Sequence, residues 1–118
     1  LEEALNAFEK AAAWRRENGG GRAEQIARWC VARGLRSLGR HDEALALLSQ
    51  LEAELSTAPE PDGYVFEEIA ENLLALGRES EAQPYFARAH TLLSQDAYLA
   101  EHEAQRLSRL AQLGRTTD

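Results

Sequence analysis

The stretch "HEAQR", from His102 to Arg106, is the part of the sequence closest to a catalytic metal motif. Two histidines four residues apart on one helix can bind zinc, with a glutamate between them acting as the base. Here Arg106 occupies the position of the second histidine, and His41 and His90 are isolated. We therefore predict neither a metal ion nor a cofactor.

Glu67 and Glu71 offer the other possible chemistry, because they share one face of a predicted helix. Paired carboxylates can act as acid and base or bind a cation. The neighbouring sequence supplies no base, nucleophile or glycine-rich phosphate loop, so we expect solvated or ligand-facing glutamates. Cys30 lies among apolar residues in "IARWCVA" and is predicted to be a buried structural thiol. We predict that the chain is not an enzyme.

The net charge of −7 disfavours binding to nucleic acid, which requires a basic face. Residues 15–40 contain seven arginines and two acids, whereas residues 41–82 contain eleven acids and one arginine. This asymmetry could steer a charged partner or favour head-to-tail self-contact, and solvated helix faces are the simpler interpretation. No apolar run reaches the ~20 residues that cross a membrane. The single cysteine fits a reducing compartment, so we expect a cytoplasmic location.

The elements that must position these side chains are helices, because apolar residues recur at three- and four-residue steps without strand-like alternation. Gly39 and Gly77 are predicted to end helices, and Asp42 to cap the helix that follows the first of these glycines. Pro59 and Pro61 mark a loop. The predicted helices cover residues 1–17, 22–38, 42–56, 63–76, 80–94 and 97–113.

One six-residue pattern returns three times, as "LRSLGR" at 35–40, "LLALGR" at 73–78 and "LAQLGR" at 110–115. Small and large apolar residues follow the first two glycines at equal distances. They are Ala44, Leu48 and Leu51 in one copy and Ala82, Phe86 and Ala89 in the next. Small residues allow two helix backbones to approach closely, so each copy is predicted to be a helical hairpin.

This order of residues resembles the tetratricopeptide repeat. The copy over 63–95 matches best, and the copy over 22–56 has Arg28 at the aromatic site. Residues 1–17 resemble the second helix of a preceding repeat, and 97–113 a C-terminal capping helix. The spacings of 38 and 37 residues are longer than is usual for the family, and Pro84 lies one turn inside a helix. The matching positions are Phe66, Ile69, Ala70, Leu73, Gly77, Ala82, Phe86 and Ala89.

The resemblance implies an all-α fold, a right-handed α-solenoid of antiparallel helix hairpins with about six helices, in a single domain over 1–118. It also implies a concave groove, lined by the first helix of each hairpin, that binds a peptide or a partner helix. His41 would lie in an exposed turn. Trp29 is open to a second interpretation, in which it packs into a neighbouring helix. The groove residues implied by this analogy are Trp29, Arg33, Arg36, Tyr64, Glu67, Glu71 and Leu74.

We therefore expect a non-catalytic module that binds a protein or peptide partner. One alternative is self-association through the helix predicted from Leu1 to Glu17, and another is a regulatory domain attached to an enzyme outside this sequence. Members of the family that bind chaperone tails hold a carboxylate with lysine and asparagine. Glu67 and Glu71 lie on the matching face, so we predict that this chain does not bind such acidic tails.

Overall fold

The computed structural model describes residues 22–56 and 62–115, together with residues 6, 9 and 10. Six helices and no strand occupy residues 22–115 of this described part, which confirms the all-helical class. Residues 6, 9 and 10 are helical, and the rest of the helix predicted over 1–17 lies outside the described residues, as do Pro59 and Pro61. The helices are α1 (Arg22–Ser37), α2 (His41–Leu55), α3 (Gly63–Ala75), α4 (Glu79–Leu93), α5 (Ala97–His102) and α6 (Ala104–Leu113).

Glycine ends both α1 and α3, as predicted. Gly39 and Gly77 each have φ of 77°, in the left-handed region that glycine adopts without a steric penalty. The backbone N–H of Arg40 donates to the carbonyl of Leu35 at 2.8 Å, and the N–H of Gly39 donates to Arg36 at 3.0 Å. The same two hydrogen bonds recur around Gly77. This pair of bonds satisfies carbonyls that the end of a helix leaves without partners.

The arginine after each of these glycines has its own role, because it pairs with the glutamate three residues later. Arg40 Nη2 lies 2.6 Å from Glu43, and Arg78 Nε lies 2.5 Å from Glu81. These hydrogen bonds hold the pKa of both glutamates below its usual range. The prediction that Asp42 caps α2 is wrong: the helix already begins at His41, so Asp42 lies inside the first turn.

The third copy of the pattern has a different structure. Gly114 is right-handed, with φ of −87°, and a Cβ added there would lie 2.6 Å from the backbone nitrogen of Ala87. Glycine is therefore needed here for the close approach of α6 to α4, and a left-handed turn is absent. The single helix predicted over 97–113 is also wrong, because the backbone breaks at Glu103 (φ −132°, ψ 45°).

The core contains the small and large residues that the repeat predicts. Ala44 and Leu48 of α2 and Ala82 and Phe86 of α4 are all buried. An ion pair between Arg28 and Glu54 joins the first half of α1 to the end of α2, so these two helices run antiparallel. The start of α3 at Gly63 similarly lies against Leu92 and Leu93 at the end of α4. Two antiparallel helix pairs therefore share one core, and α6 packs against α4.

Candidate functional site

The predicted groove residues lie on α1 and α3, and the structure adds α6 to the same surface. Contacts from α1 to α3 advance in the same direction along both helices, from Trp29 with Tyr64 to Arg36 with Glu68. Contacts from α3 to α6 advance likewise, so the three helices run parallel. We call this surface the first-helix face. It comprises Trp29, Arg33, Arg36, Tyr64, Glu67, Glu68, Glu71, Arg106 and Arg109.

A buried carboxylate joins α1 to α3. Arg36 donates from Nε and Nη2 to the two oxygens of Glu68, at 2.7 and 2.9 Å. The Glu68 side chain is only 3% exposed. The hydrogen bonds to Glu68 raise the pKa of the Arg36 guanidinium above its ordinary value. Because this two-bond geometry fixes both side chains, it also fixes the register of α1 against α3.

Two further pairs join α3 to α6. Arg106 donates to both carboxylate oxygens of Glu67, with Nε at 2.8 Å from one of them, and also contacts Glu103. The hydrogen bonds to Glu67 are the main reason that the pKa of Arg106 is raised. Arg109 lies 2.8 Å from Glu71. The arginines of α6, which sequence reasoning did not assign to the site, thus neutralise the two predicted groove glutamates.

The depth of these charges below the molecular surface decides which of them a ligand would meet first. Glu67 and Glu71 are 9% and 18% exposed, whereas their partners Arg106 and Arg109 are 27% and 49% exposed. The solvent-facing layer is therefore arginine, with the carboxylates beneath it. This weakens the repulsion on which the prediction about acidic tails depends, although that prediction itself remains open to test.

An aromatic pair forms the other end of the face. The Trp29 and Tyr64 rings meet edge to face with their centroids 6.1 Å apart, and Trp29 Nε1 donates to the Tyr64 carbonyl at 3.1 Å. Trp29 thus packs against the neighbouring helix while remaining half-exposed. The Arg33 guanidinium lies 5.5 Å from the Trp29 ring centroid and is exposed. No hydrogen bond or ion pair reaches Arg33 from the described residues.

A depression of about 250 Å³ opens beside this aromatic pair. Ile26, which is 47% exposed, lies at its edge. The apolar lining comes from three helices and consists of Ile26, Trp29, Leu51, Leu55, Tyr64 and Val65. Gln25 and Asp62 complete the lining, and the exposed Arg33 reaches this region only through its contact with Trp29.

Other candidate residues lie outside this arrangement. Leu74 is half-buried against the core, and Cys30 is half-buried although the sequence predicted a buried thiol. His41 was expected in an exposed turn, but it begins α2 and is half-buried, with Nδ1 2.9 Å from Asn72 Oδ1. Because the Asn72 amide nitrogen donates to the Glu68 carbonyl, its oxygen faces His41 and the ring must donate. Sequence reasoning missed Asn72, which is fully buried.

The zinc-like stretch and the acidic residues were the other candidates for chemistry. Within residues 22–56 and 62–115, no three histidine, cysteine, aspartate or glutamate side chains are grouped so that they could hold a metal ion. His102 of the zinc-like stretch stacks on Tyr98, with ring centroids 4.6 Å apart. Among the described helices, none has the length and apolar content needed to cross a membrane.

A scan against protein-family models finds no match to this chain, and searches of curated proteins and of solved structures find none either. Function must therefore be argued from the geometry of the described residues. The likeness to the tetratricopeptide repeat stays a hypothesis based on the residues that carry it.

Proposed function

We propose that this chain is a non-catalytic interaction module that holds an extended peptide or a partner helix across α1, α3 and α6. In this proposal the helix pairs form a right-handed solenoid similar to that of tetratricopeptide repeats, with the first-helix face as its concave side. Two identical glycine turns, two antiparallel pairs and the parallel run of first helices support this arrangement.

The observation that carries the proposal is the cluster of Arg33, Trp29 and Tyr64. Arg33 lies over the Trp29 ring, and within the described part of the chain it has no acidic partner. Arginine, tryptophan and tyrosine dominate binding energy at protein interfaces, because they offer large contact area and directed hydrogen bonds. A ligand residue with a carboxylate could bond to Arg33 while a neighbouring apolar side chain enters the depression beside Ile26.

The ion pairs across the face favour such a role. Arg36 with Glu68 and Arg106 with Glu67 hold the three helices in a fixed register before any ligand arrives. A surface that is already ordered loses little conformational freedom on binding, so more of the contact energy appears as affinity. The paired arginines are thus assigned to the framework, and Arg33 to the ligand.

A selection from a random peptide library on the purified chain tests this proposal. Selected peptides are then titrated by calorimetry against the wild type, Arg33→Gln and Trp29→Phe. We expect Arg33→Gln to weaken binding by about tenfold, which is the loss of one charge-assisted contact. Arg115→Gln, which removes an exposed arginine beyond the end of α6, is the matched control and should leave affinity unchanged.

Two results would overturn the proposal. One is a selection that enriches no sequence, and the other is a set of peptides whose affinity is indifferent to Arg33 and Trp29. Glu71→Arg is a poorer probe than Arg33→Gln, because it would also remove the ion pair between Glu71 and Arg109.

A further inference from the structure

A second exposed arginine, Arg88 of α4, lies where α4 packs against α3. The rings of Phe66 and Tyr85 are tilted by 46° with their centroids 6.0 Å apart. The Arg88 guanidinium carbon lies 5.8 Å from the Phe66 centroid and 5.7 Å from the Tyr85 centroid. One guanidinium therefore contacts two aromatic rings, each of which attracts the cation through its electron-rich face.

Arg88 has no acidic partner within residues 22–56 and 62–115. Six other arginines of these ranges do have one: Arg28, Arg36, Arg40, Arg78, Arg106 and Arg109. Glu52 reaches the same cluster but accepts a hydrogen bond from the Tyr85 hydroxyl at 3.1 Å. Burial, followed by this bond to Glu52, raises the pKa of Tyr85, so the phenol remains a neutral donor. The rings stabilise the position of Arg88, and its N–H groups remain available to an acceptor from outside.

An apolar depression adjoins Arg88. It has a volume of about 450 Å³ and is lined by Phe66, Ala87, Arg88, Thr91 and Leu92. The Thr91 hydroxyl already donates to the Ala87 carbonyl at 3.1 Å. Arg88 is therefore the only cation in the lining, and the rest of the wall is suited to an apolar group.

We propose that Arg88 and this depression form a second binding site, which takes a partner-protein segment carrying a carboxylate beside a large apolar side chain. The carboxylate accepts two parallel hydrogen bonds from the guanidinium, which is the geometry that arginine and carboxylate prefer. The apolar side chain fills the depression against Phe66 and Leu92. Because the first-helix face uses other residues, the chain could hold two partners at once and act as an adaptor.

A pair of short capped peptides tests the charge requirement. Both carry a central Leu-Asp-Phe sequence, with asparagine replacing the aspartate in the second. Each is titrated into the ¹⁵N-labelled chain while the Arg88 Nε–Hε and backbone amide resonances are followed. We expect the aspartate peptide to shift Arg88, Thr91 and Leu92 and to bind about tenfold more tightly than the asparagine peptide.

Matched variants separate this site from the first-helix face when binding is read from the Thr91 and Leu92 resonances, which report only on the Arg88 depression. At these resonances Arg88→Gln should weaken binding of the aspartate peptide by about tenfold, whereas Arg33→Gln should leave the titration unchanged. Equal affinities for the two peptides, no shifts at millimolar peptide, or shifts confined to α1 would overturn the inference. Arg88 shifts that grow with protein concentration in the absence of peptide would do the same, because they would assign the site to a second copy of this chain.

Discussion

Arginines serve different purposes on two flanks of α3. Toward α1 and α6, Arg36 and Arg106 reach glutamates that are nearly buried, and each pair joins two helices. Toward α4, Arg88 lies exposed on two aromatic rings, with no acid bonded to it among the described residues. An arginine that faces a buried carboxylate is structural. An arginine that contacts only aromatic rings remains available for binding.

The difference follows from the cost of removing charge from water. A carboxylate as buried as Glu68 is tolerated only when a cation and good hydrogen-bond geometry accompany it, so its arginine cannot be released to a ligand. A guanidinium that keeps one edge in water needs no buried counter-charge. Contact with aromatic rings holds its position with little loss of hydration. The predictions below test this division, beginning with the core that both flanks share.

Phe86→Ala should lower the free energy of unfolding by about 3–5 kcal/mol, because it empties a fully buried aromatic position in α4. Chemical denaturation followed by circular dichroism measures the loss. Tyr98→Ala, which removes a 65% exposed aromatic residue, is the control and should change stability by no more than about 1 kcal/mol. If the two variants lose equal free energy of unfolding, then Phe86 is not a central residue of the core on which both flanks of α3 depend.

Arg36→Ala should cost about 2–4 kcal/mol, because it leaves the buried Glu68 carboxylate without its cation. Arg88→Ala removes only cation–π contacts at an exposed site and should cost at most about 1 kcal/mol. Denaturation of both variants under one set of conditions compares the two flanks directly. If Arg88→Ala is as destabilising as Arg36→Ala, then Arg88 is structural and the division fails.

The two kinds of glycine respond differently to substitution. Gly77→Ala should cost about 1–2 kcal/mol, because alanine is strained in the left-handed region, and Gly77→Asn should cost less. Gly114→Ala should cost about 1–3 kcal/mol through overpacking against the Ala87 backbone, and Gly114→Asn more than that. Thermal melts of the four variants give the order. An asparagine that is better tolerated at 114 than at 77 would contradict the structural assignment of α6.

The smallest effect concerns the exposed pairs after the glycine turns. Arg40 and Arg78 hold the pKa of Glu43 and Glu81 below its usual range, so these carboxylates stabilise the fold at neutral pH. That stabilisation is lost as the pH falls through the lowered pKa. Carboxyl ¹³C titration should show the pKa of Glu43 rising in Arg40→Gln, while that of Glu81 stays unchanged. A pKa of Glu43 that is the same in the wild type and in Arg40→Gln would show that the pair does not form in solution.

Much of the helical framework could be predicted from the sequence. The starts and ends of α1 to α4 lie within one residue of their predicted positions, because Gly39 and Gly77 end helices through a backbone property of glycine itself. Ala44, Ala82 and Phe86 were placed in the core by their spacing alone. The role of Gly114 escaped prediction because it depends on how closely α6 approaches α4, and the break at Glu103 escaped it as well.

The sequence by itself determined helices α1 to α4, the turns at Gly39 and Gly77 and the small and large residues of the core, because these follow from local backbone preference and a period of 3.6 residues. Only the tertiary structure decided which charges are paired. Glu67 and Arg106 are separated by 39 residues, and no local rule connects them. Parallel packing of α3 and α6 joins these two side chains, and the contact of α3 with α4 leaves Arg88 exposed on its two rings.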